Sequence, residues 1–252
     1  MKKFSGKTVI VTGGNSGIGR ATAIQFANAG AQVAIIGRNP KTGQEVVDEI
    51  SGHGGIASFH RADIADKQEV DQAFADIVAT YGRFHAAFNN AGIANEENLF
   101  NETELDEFDQ IIQNNLYGTY YCMKQEIRHY LAHGGGSIVN CSSISALVAR
   151  KKQSAYAASK SGILGLTRVV ALEYANQNIR VNAVCPGGVL TPAAEKLLTD
   201  HPEVAKVISR QHPLGRLADP EEVGNLVLWL ASDEATNVIG QSFPIDGGYT
   251  IQ

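Results

Sequence analysis

Short apolar runs recur along the chain, separated by stretches in which apolar residues return every three or four positions. The runs are Thr8 to Thr12, Gln32 to Ile36, Ile56 to His60, Ala86 to Asn89, Ser137 to Cys141, Arg180 to Val184 and Gln241 to Ile245. Apolar runs this short predict strands, and the intervening pattern, as in Val70, Phe74, Ile77 and Val78, predicts helices. Repeated strand-helix units imply an α/β fold, a mainly parallel, doubly wound sheet of seven strands covered on both faces. No linker, repeat or low-complexity stretch divides the 252 residues, so one domain spanning 1–252 is expected.

Ligands of such sheets bind beyond the carboxyl ends of the strands, near the point where the strand order reverses. Polar and glycine residues gather at those ends. The first strand runs into Gly13-Gly14-Asn15-Ser16-Gly17-Ile18-Gly19 and then a helical stretch from Arg20 to Ala27. Strand, glycine turn and helix form the context of a dinucleotide site: a Cβ would hold the backbone off the pyrophosphate, and the helix start supplies N–H donors and a favourable dipole. Asp63-Ile64 follows the third strand, Asn90-Ala91-Gly92 the fourth, Ser143 the fifth, and Pro186-Gly187 the sixth. The sequence therefore brings distant residues to one sheet edge.

Tyr156 and Lys160 stand four residues apart, and Ser143 lies thirteen residues before the tyrosine. Positions i and i+4 share a helix face, so the Lys160 ammonium can stand near the Tyr156 phenol. A phenol is a poor base at neutral pH until a nearby positive charge favours its ionised form. Alone the pair is a weak signal; beside a dinucleotide turn it points to proton transfer on a substrate oxygen.

Taken together, Thr12-Gly13-x-x-x-Gly17-x-Gly19, Asp63-Ile64, Asn89-Asn90-Ala91-Gly92, Asn115, Ser143, Tyr156, Lys160, Pro186-Gly187 with Thr191, and Asp246-Gly247-Gly248 resemble the classical short-chain dehydrogenase/reductase family over essentially the whole chain. The resemblance implies a Rossmann-like fold and an NAD(P)-dependent enzyme that interconverts a carbonyl and an alcohol. In reduction the pro-S hydride leaves the nicotinamide, Ser143 polarises the carbonyl, Tyr156 donates the proton, and in oxidation Tyr156 is the base. Lys160 would favour the ionised phenol and hold the nicotinamide ribose, while Asn115 would support proton resupply. The cofactor would meet Gly13, Asn15, Ser16, Gly17, Ile18, Gly19, Arg38, Asp63, Ile64, Asn90, Ala91, Gly92, Tyr156, Lys160, Pro186, Gly187, Val189 and Thr191. A substrate flap is expected over about 190–213, with Ala193, Ala194, Leu197, Leu198, Val204, Val207 and Ile208 suiting a partly apolar substrate. The family also implies a homotetramer, with the helix from Tyr156 to Ala175 and the segment ending in Asp246-Gly247-Gly248-Tyr249 at subunit contacts. Two rivals remain open: a 3-oxoacyl-acyl-carrier-protein reductase, with Arg128 and Arg168 near the cleft docking the acidic carrier, and a dinucleotide-sensing protein without turnover.

The end of the second strand reads Gly37-Arg38-Asn39, with no carboxylate to bond a ribose 2′-hydroxyl and with a guanidinium able to grip a 2′-phosphate. This favours NADP(H), with NAD(H) the alternative. A net charge of -5 and a pI near 5.8 disfavour nucleic acid and anionic lipid as partners. Cys122, Cys141 and Cys185 are odd in number and far apart, which argues against a disulfide framework or zinc and for a cytoplasmic protein. No signal-peptide core or membrane-length apolar run is evident. His129 and His133 have i,i+4 spacing, but they precede Gly134-Gly135-Gly136, where imidazolium suits the end of a helix better than a metal does. Arg150-Lys151-Lys152 reads as a solvated loop, and Cys185 as a small packing residue.

Overall fold

The computed structural model describes residues 2–94, 98–201, 208 and 210–252. Its strands are β1 (Thr8–Thr12), β2 (Gln32–Gly37), β3 (Ile56–Arg61), β4 (Ala86–Asn89), β5 (Gly136–Cys141), β6 (Ile179–Pro186) and β7 (Ser242–Ile245). They form one seven-stranded sheet in the order 3-2-1-4-5-6-7, with every neighbouring pair parallel. Each expected run is a strand, with ends displaced by at most two residues. The helices are α1 (Gly17–Asn28), α2 (Pro40–Gly52), α3 (Lys67–Tyr81), α4 (Leu105–Ile111), α5 (Gly118–His133), α6 (Ser154–Tyr174), α7 (Pro192–Asp200) and α8 (Pro220–Ala231).

Side chains alternate across the sheet, and both faces are covered. Val9, Val11, Val33 and Ile35 pack with Phe26 of α1 and Val223, Val227 and Leu230 of α8. Ile10, Ala34 and Ile36 face the other way, among Phe74 and Ile77 of α3 and Met123 and Ile127 of α5. Burial on both faces is why the strands read as continuous apolar runs. Local signals set the helix starts. The Asn39 side chain accepts from the N–H groups of Lys41 and Thr42 ahead of Pro40, and Asp66 accepts from Gln68 and Glu69.

From β1 the chain steps outward to β2 and β3, then returns to place β4 on the other side of β1. Departing in opposite directions, the connections leave a crevice above the carboxyl ends of β1 and β4. A buried polar tie holds the sheet beneath it: Asn89 Nδ2 donates to Oδ1 of its cross-strand partner Asn140 and to Glu126 Oε2, both at 3.0 Å. Asn89 thus serves the sheet, and burial pushes the Glu126 carboxyl up to about 8, so it is protonated at neutral pH.

The histidines at the end of α5 correct one expectation. Helix α5 does end at Gly134, in the left-handed conformation with φ 79°. His129, however, is neutral, because its Nε2 accepts a 3.1 Å hydrogen bond from the Phe84 N–H and its ring stacks on Phe84. Burial, together with the nearby His133, Arg83 and His85, pushes His129 down to about 4. The unfolded chain therefore binds a proton here that the native chain refuses, and stability should fall as pH drops from about 6.5 to about 4. That gap is worth at most about 3 kcal/mol, and solvent screening of a ring that keeps 9% of its surface exposed trims it to about 2. Urea unfolding of the native sequence and of His129→Phe across this range checks the prediction: the substituted protein should lose about 2 kcal/mol less between the two ends.

Candidate active site

Strand β1 delivers the chain to a turn in which Gly13 and Gly17 have φ of 65° and 49°, backbone that other residues adopt at a cost. A Cβ on Gly13 would meet Asn90 Nδ2 at 2.9 Å and Ala91 Cα at 3.0 Å. Thr12 and Asn90 fix this approach. The Thr12 hydroxyl accepts from the N–H groups of Asn90 and Ala91 at 3.0 and 3.1 Å, and Asn90 Nδ2 donates back to the Thr12 carbonyl at 3.2 Å. Behind the turn α1 begins, and the Ser16 side chain takes none of its first N–H groups. Those donors are left for an anion.

The turn forms one wall of a cavity of about 590 Å³. Of the expected cofactor residues, Gly13, Asn15, Ser16, Gly17, Ile18, Arg38, Asp63, Ile64, Asn90, Ala91, Gly92 and Thr191 line it. Gly19 does not: it packs behind the loop, where a Cβ would overlap the Gly13 carbonyl. Ile36, Gly37, Asn39, Ala62, Asn114 and Pro192 also line it and were not foreseen as site residues. All six lie within two residues of a foreseen one, so spacing could have found them. At the β2 end, Arg38 Nη1 stands 3.7 Å from Asp63 Oδ2, with more than half of the Arg38 side chain exposed.

A second cavity of about 220 Å³ adjoins the first, sharing Ile18, Asn90 and Gly92. It is lined by Ser143, Tyr156 and Lys160 together with Pro186, Gly187 and Val189. Tyr156 and Lys160 occupy the first two turns of α6, and Lys160 Nζ lies 5.6 Å from the centre of the Tyr156 ring. Lys160 is buried, and its ammonium donates to the Cys141 carbonyl at 2.9 Å. Asn115 is fully buried in a π-helical turn, Ile112–Tyr117, between α4 and α5. Such turns often mark functional positions. Its amide closes on the loop after β4: Nδ2 donates to the Ile93 carbonyl and Oδ1 accepts the Ile93 N–H, at 2.9 and 2.8 Å. Ser159 is the residue sequence reasoning missed here. Its hydroxyl accepts from Asn115 Nδ2 at 3.1 Å and donates to the Tyr156 carbonyl at 2.8 Å, joining two expected catalytic positions.

One expectation needs correction, that of Arg128. Ser143 Oγ, for its part, accepts from the Ser145 N–H at 3.1 Å and caps the short turn Ile144–Ala146. Its hydroxyl proton stays available as a donor, because capping uses only a lone pair. Ser142 instead donates to the Lys160 carbonyl at 2.8 Å. Arg128, expected near the cleft, sits beside His129, which packs on Phe84 ahead of β4, at the opposite end of the sheet. Within the expected flap, Val204 and Val207 lie outside the described residues, as do the side chains of Ala193 and Leu197.

The sequence pattern described as Enoyl-(Acyl carrier protein) reductase matches residues 13–250. The chain belongs to the classical short-chain dehydrogenase/reductase family. Cyclohexanol dehydrogenase of Acinetobacter sp. (strain SE19) is 41% identical over 248 residues, 98% of this chain and 96% of that one. A 2,5-dichloro-2,5-cyclohexadiene-1,4-diol dehydrogenase of Sphingobium indicum is 39% identical, covering 99% of each chain. Among solved structures, a putative gluconate dehydrogenase from Agrobacterium tumefaciens superposes with a TM-score of 0.94 at 31% identity, over 99% of this chain and 98% of that one. As a family member the chain is an oxidoreductase that uses a nicotinamide dinucleotide to interconvert an alcohol and a carbonyl. The glycine cradle and the open helix start fit the dinucleotide.

Proposed function

We propose that this short-chain dehydrogenase/reductase acts on a small, uncharged cyclic secondary alcohol or the matching ketone, with Tyr156 as acid and base. The observation that carries this reading is the lining of one cavity by Ser143, Tyr156 and Lys160, opening directly into the glycine-walled cavity. The bound dinucleotide supplies hydride acceptance and donation. Tyr156 moves the proton at the substrate oxygen, the Ser143 hydroxyl donates to that oxygen as charge develops, and the Lys160 ammonium stands beside the Tyr156 ring, 5.6 Å from its centre. Asn115 and Ser159 hold the surrounding backbone in register. Ile93, Ala94 and Val189 give the cavity an apolar wall, and Lys160 is its one charged lining residue among those described. The names of the two relatives above, both six-membered carbocycles, agree with such a site.

A spectrophotometric panel of cyclic and linear alcohols, ketones, aldehydes and sugars with both nicotinamide cofactors tests this. Cyclic secondary alcohols should lead in kcat/KM, and a lead for acetoacetyl thioesters would favour carrier-linked reduction instead. Absence of turnover across the panel would favour a sensing protein. The displacement of Arg128 from the cleft removes one support for a carrier.

We favour NADP(H), supported by Arg38 on the cavity wall and by the lack of a carboxylate in Gly37-Arg38-Asn39. Arg38→Asp should lower the NADP to NAD ratio of kcat/KM by at least about ten-fold, through charge repulsion of a 2′-phosphate. An unchanged ratio would remove Arg38 from cofactor choice. A homotetramer is supported by apolar side chains on the outer face of α6, where Val169 is 54% and Leu172 78% exposed. Light scattering reads that assembly directly. Three buried free thiols support a reducing, cytoplasmic setting, and no helix among the described residues is long and apolar enough to cross a membrane.

A further inference from the structure

Beyond the serine, tyrosine and lysine, one buried histidine touches the turn that walls the substrate cavity. His212, at 6% exposure, follows the segment that begins after Thr191. Its Nε2 accepts from the Gly188 N–H at 3.3 Å, which assigns the ring proton to Nδ1, and Nδ1 then donates to the Ile208 carbonyl at 2.8 Å. One ring therefore bonds to both ends of this segment: the turn through which it leaves β6 and its own last part. The Tyr249 ring, 5.3 Å away, backs the imidazole, and Leu214 N–H reaches the Gly247 carbonyl at 3.2 Å beside it. The turn has no slack, since a Cβ on Gly188 would meet His212 Nε2 at 3.2 Å and one on Gly187 would meet Asp246 Cα at 2.9 Å. Gly187 and Val189, on either side of Gly188, line the catalytic cavity.

We infer that His212 is a positioning residue: through the Gly188 N–H it fixes where the Gly187 to Val189 wall stands relative to Ser143 and Tyr156, and so sets the productive pose of the substrate. This rests on the oxidoreductase activity of the family and not on the identity of the alcohol. The backbone pairs Ala218 N–H to Gly188 O and Leu190 N–H to Ala218 O hold the same turn from its other side, so the fold does not need the imidazole to form it. What the imidazole adds is the acceptor for the Gly188 N–H.

His212→Phe keeps a ring against Tyr249 but leaves the Gly188 N–H without an acceptor, whereas His212→Gln offers an amide oxygen to Gly188 and an amide N–H to Ile208. The phenylalanine protein should show KM for the alcohol raised and kcat lowered, a combined loss of about ten-fold or more in kcat/KM. The glutamine protein should recover to within about three-fold. A second readout needs neither cofactor nor substrate: trypsin cleavage of the unliganded native protein after Lys196 and Arg210 should be several-fold faster in the phenylalanine protein and slowed again by glutamine. Native kcat/KM and cleavage rates in the phenylalanine protein would overturn the inference. So would a glutamine protein as impaired as the phenylalanine one, including where phenylalanine itself lowers the yield of folded protein.

Discussion

Replacing Tyr156 with phenylalanine is expected to lower kcat by about 10³-fold, roughly 4 kcal/mol of transition-state stabilisation, while leaving the affinity for reduced cofactor within about two-fold. The substitution removes one oxygen from a half-buried side chain and keeps the ring beside the Lys160 ammonium. Stability should therefore change by no more than about 1 kcal/mol. The dinucleotide surface is made mostly by the glycine turn, the β2 end and the loop after β4, and Tyr156 is not among the residues that line that cavity. Loss of turnover with binding intact would locate the defect in proton transfer. Stopped-flow single turnovers with hydride isotope effects, next to fluorescence titration of the cofactor, separate the two steps. A Tyr156→Phe protein that turns over within ten-fold of the native rate would sink the acid-base role, and one that fails to bind cofactor would shift Tyr156 into the binding surface.

Much of this architecture was legible because its causes are local. Burial on both faces makes the strands read as apolar runs, and Asn39-Pro40 and Asp66 mark two helix starts by capping chemistry. The site was legible for a different reason: glycines at a close backbone approach and a Tyr-x-x-x-Lys face are both dictated by short spacing. What stayed hidden depends on partners far apart in sequence. His129 reads as a cation for a helix end, yet the Phe84 N–H, 45 residues away, makes it a neutral acceptor. Ser159 carries no motif beyond its place in α6, and its role emerges only when α6 meets the π-helical turn holding Asn115. Arg128 could be placed on a helix by pattern, but not at the end of the sheet away from the cleft. Gly19 stands out by spacing alone, but that α1 lies against the Gly13 carbonyl at this residue, leaving no room for a Cβ, is visible only in the packing.

That close packing yields the second large effect. Gly19→Ala is expected to weaken binding of either nicotinamide dinucleotide by at least about 100-fold and to cost about 1–3 kcal/mol of stability. The added methyl would lie 2.7 Å from the Gly13 carbonyl carbon and 2.6 Å from Asn90 Nδ2, closer than real side chains come, with the Gly13 carbonyl oxygen nearer still. Backbone cannot swing aside as a flexible side chain can, so either the turn must lift or α1 must withdraw. Both moves spoil the same thing, the registry of Gly13 and Gly17 with the open N–H groups at the start of α1. Asn90 is caught between them, because its Nδ2 also bonds the Thr12 carbonyl, and its displacement would loosen the loop after β4. Gly52→Ala is the matched control. It sits at the end of α2 with nothing within 4 Å of a built Cβ, and should be neutral or stabilise by up to about 1 kcal/mol. Calorimetric titration of cofactor and urea unfolding of both proteins give the comparison. Native-like cofactor affinity in Gly19→Ala would show that the turn tolerates a lifted backbone, and the phosphate seat would then have to lie elsewhere along the crevice.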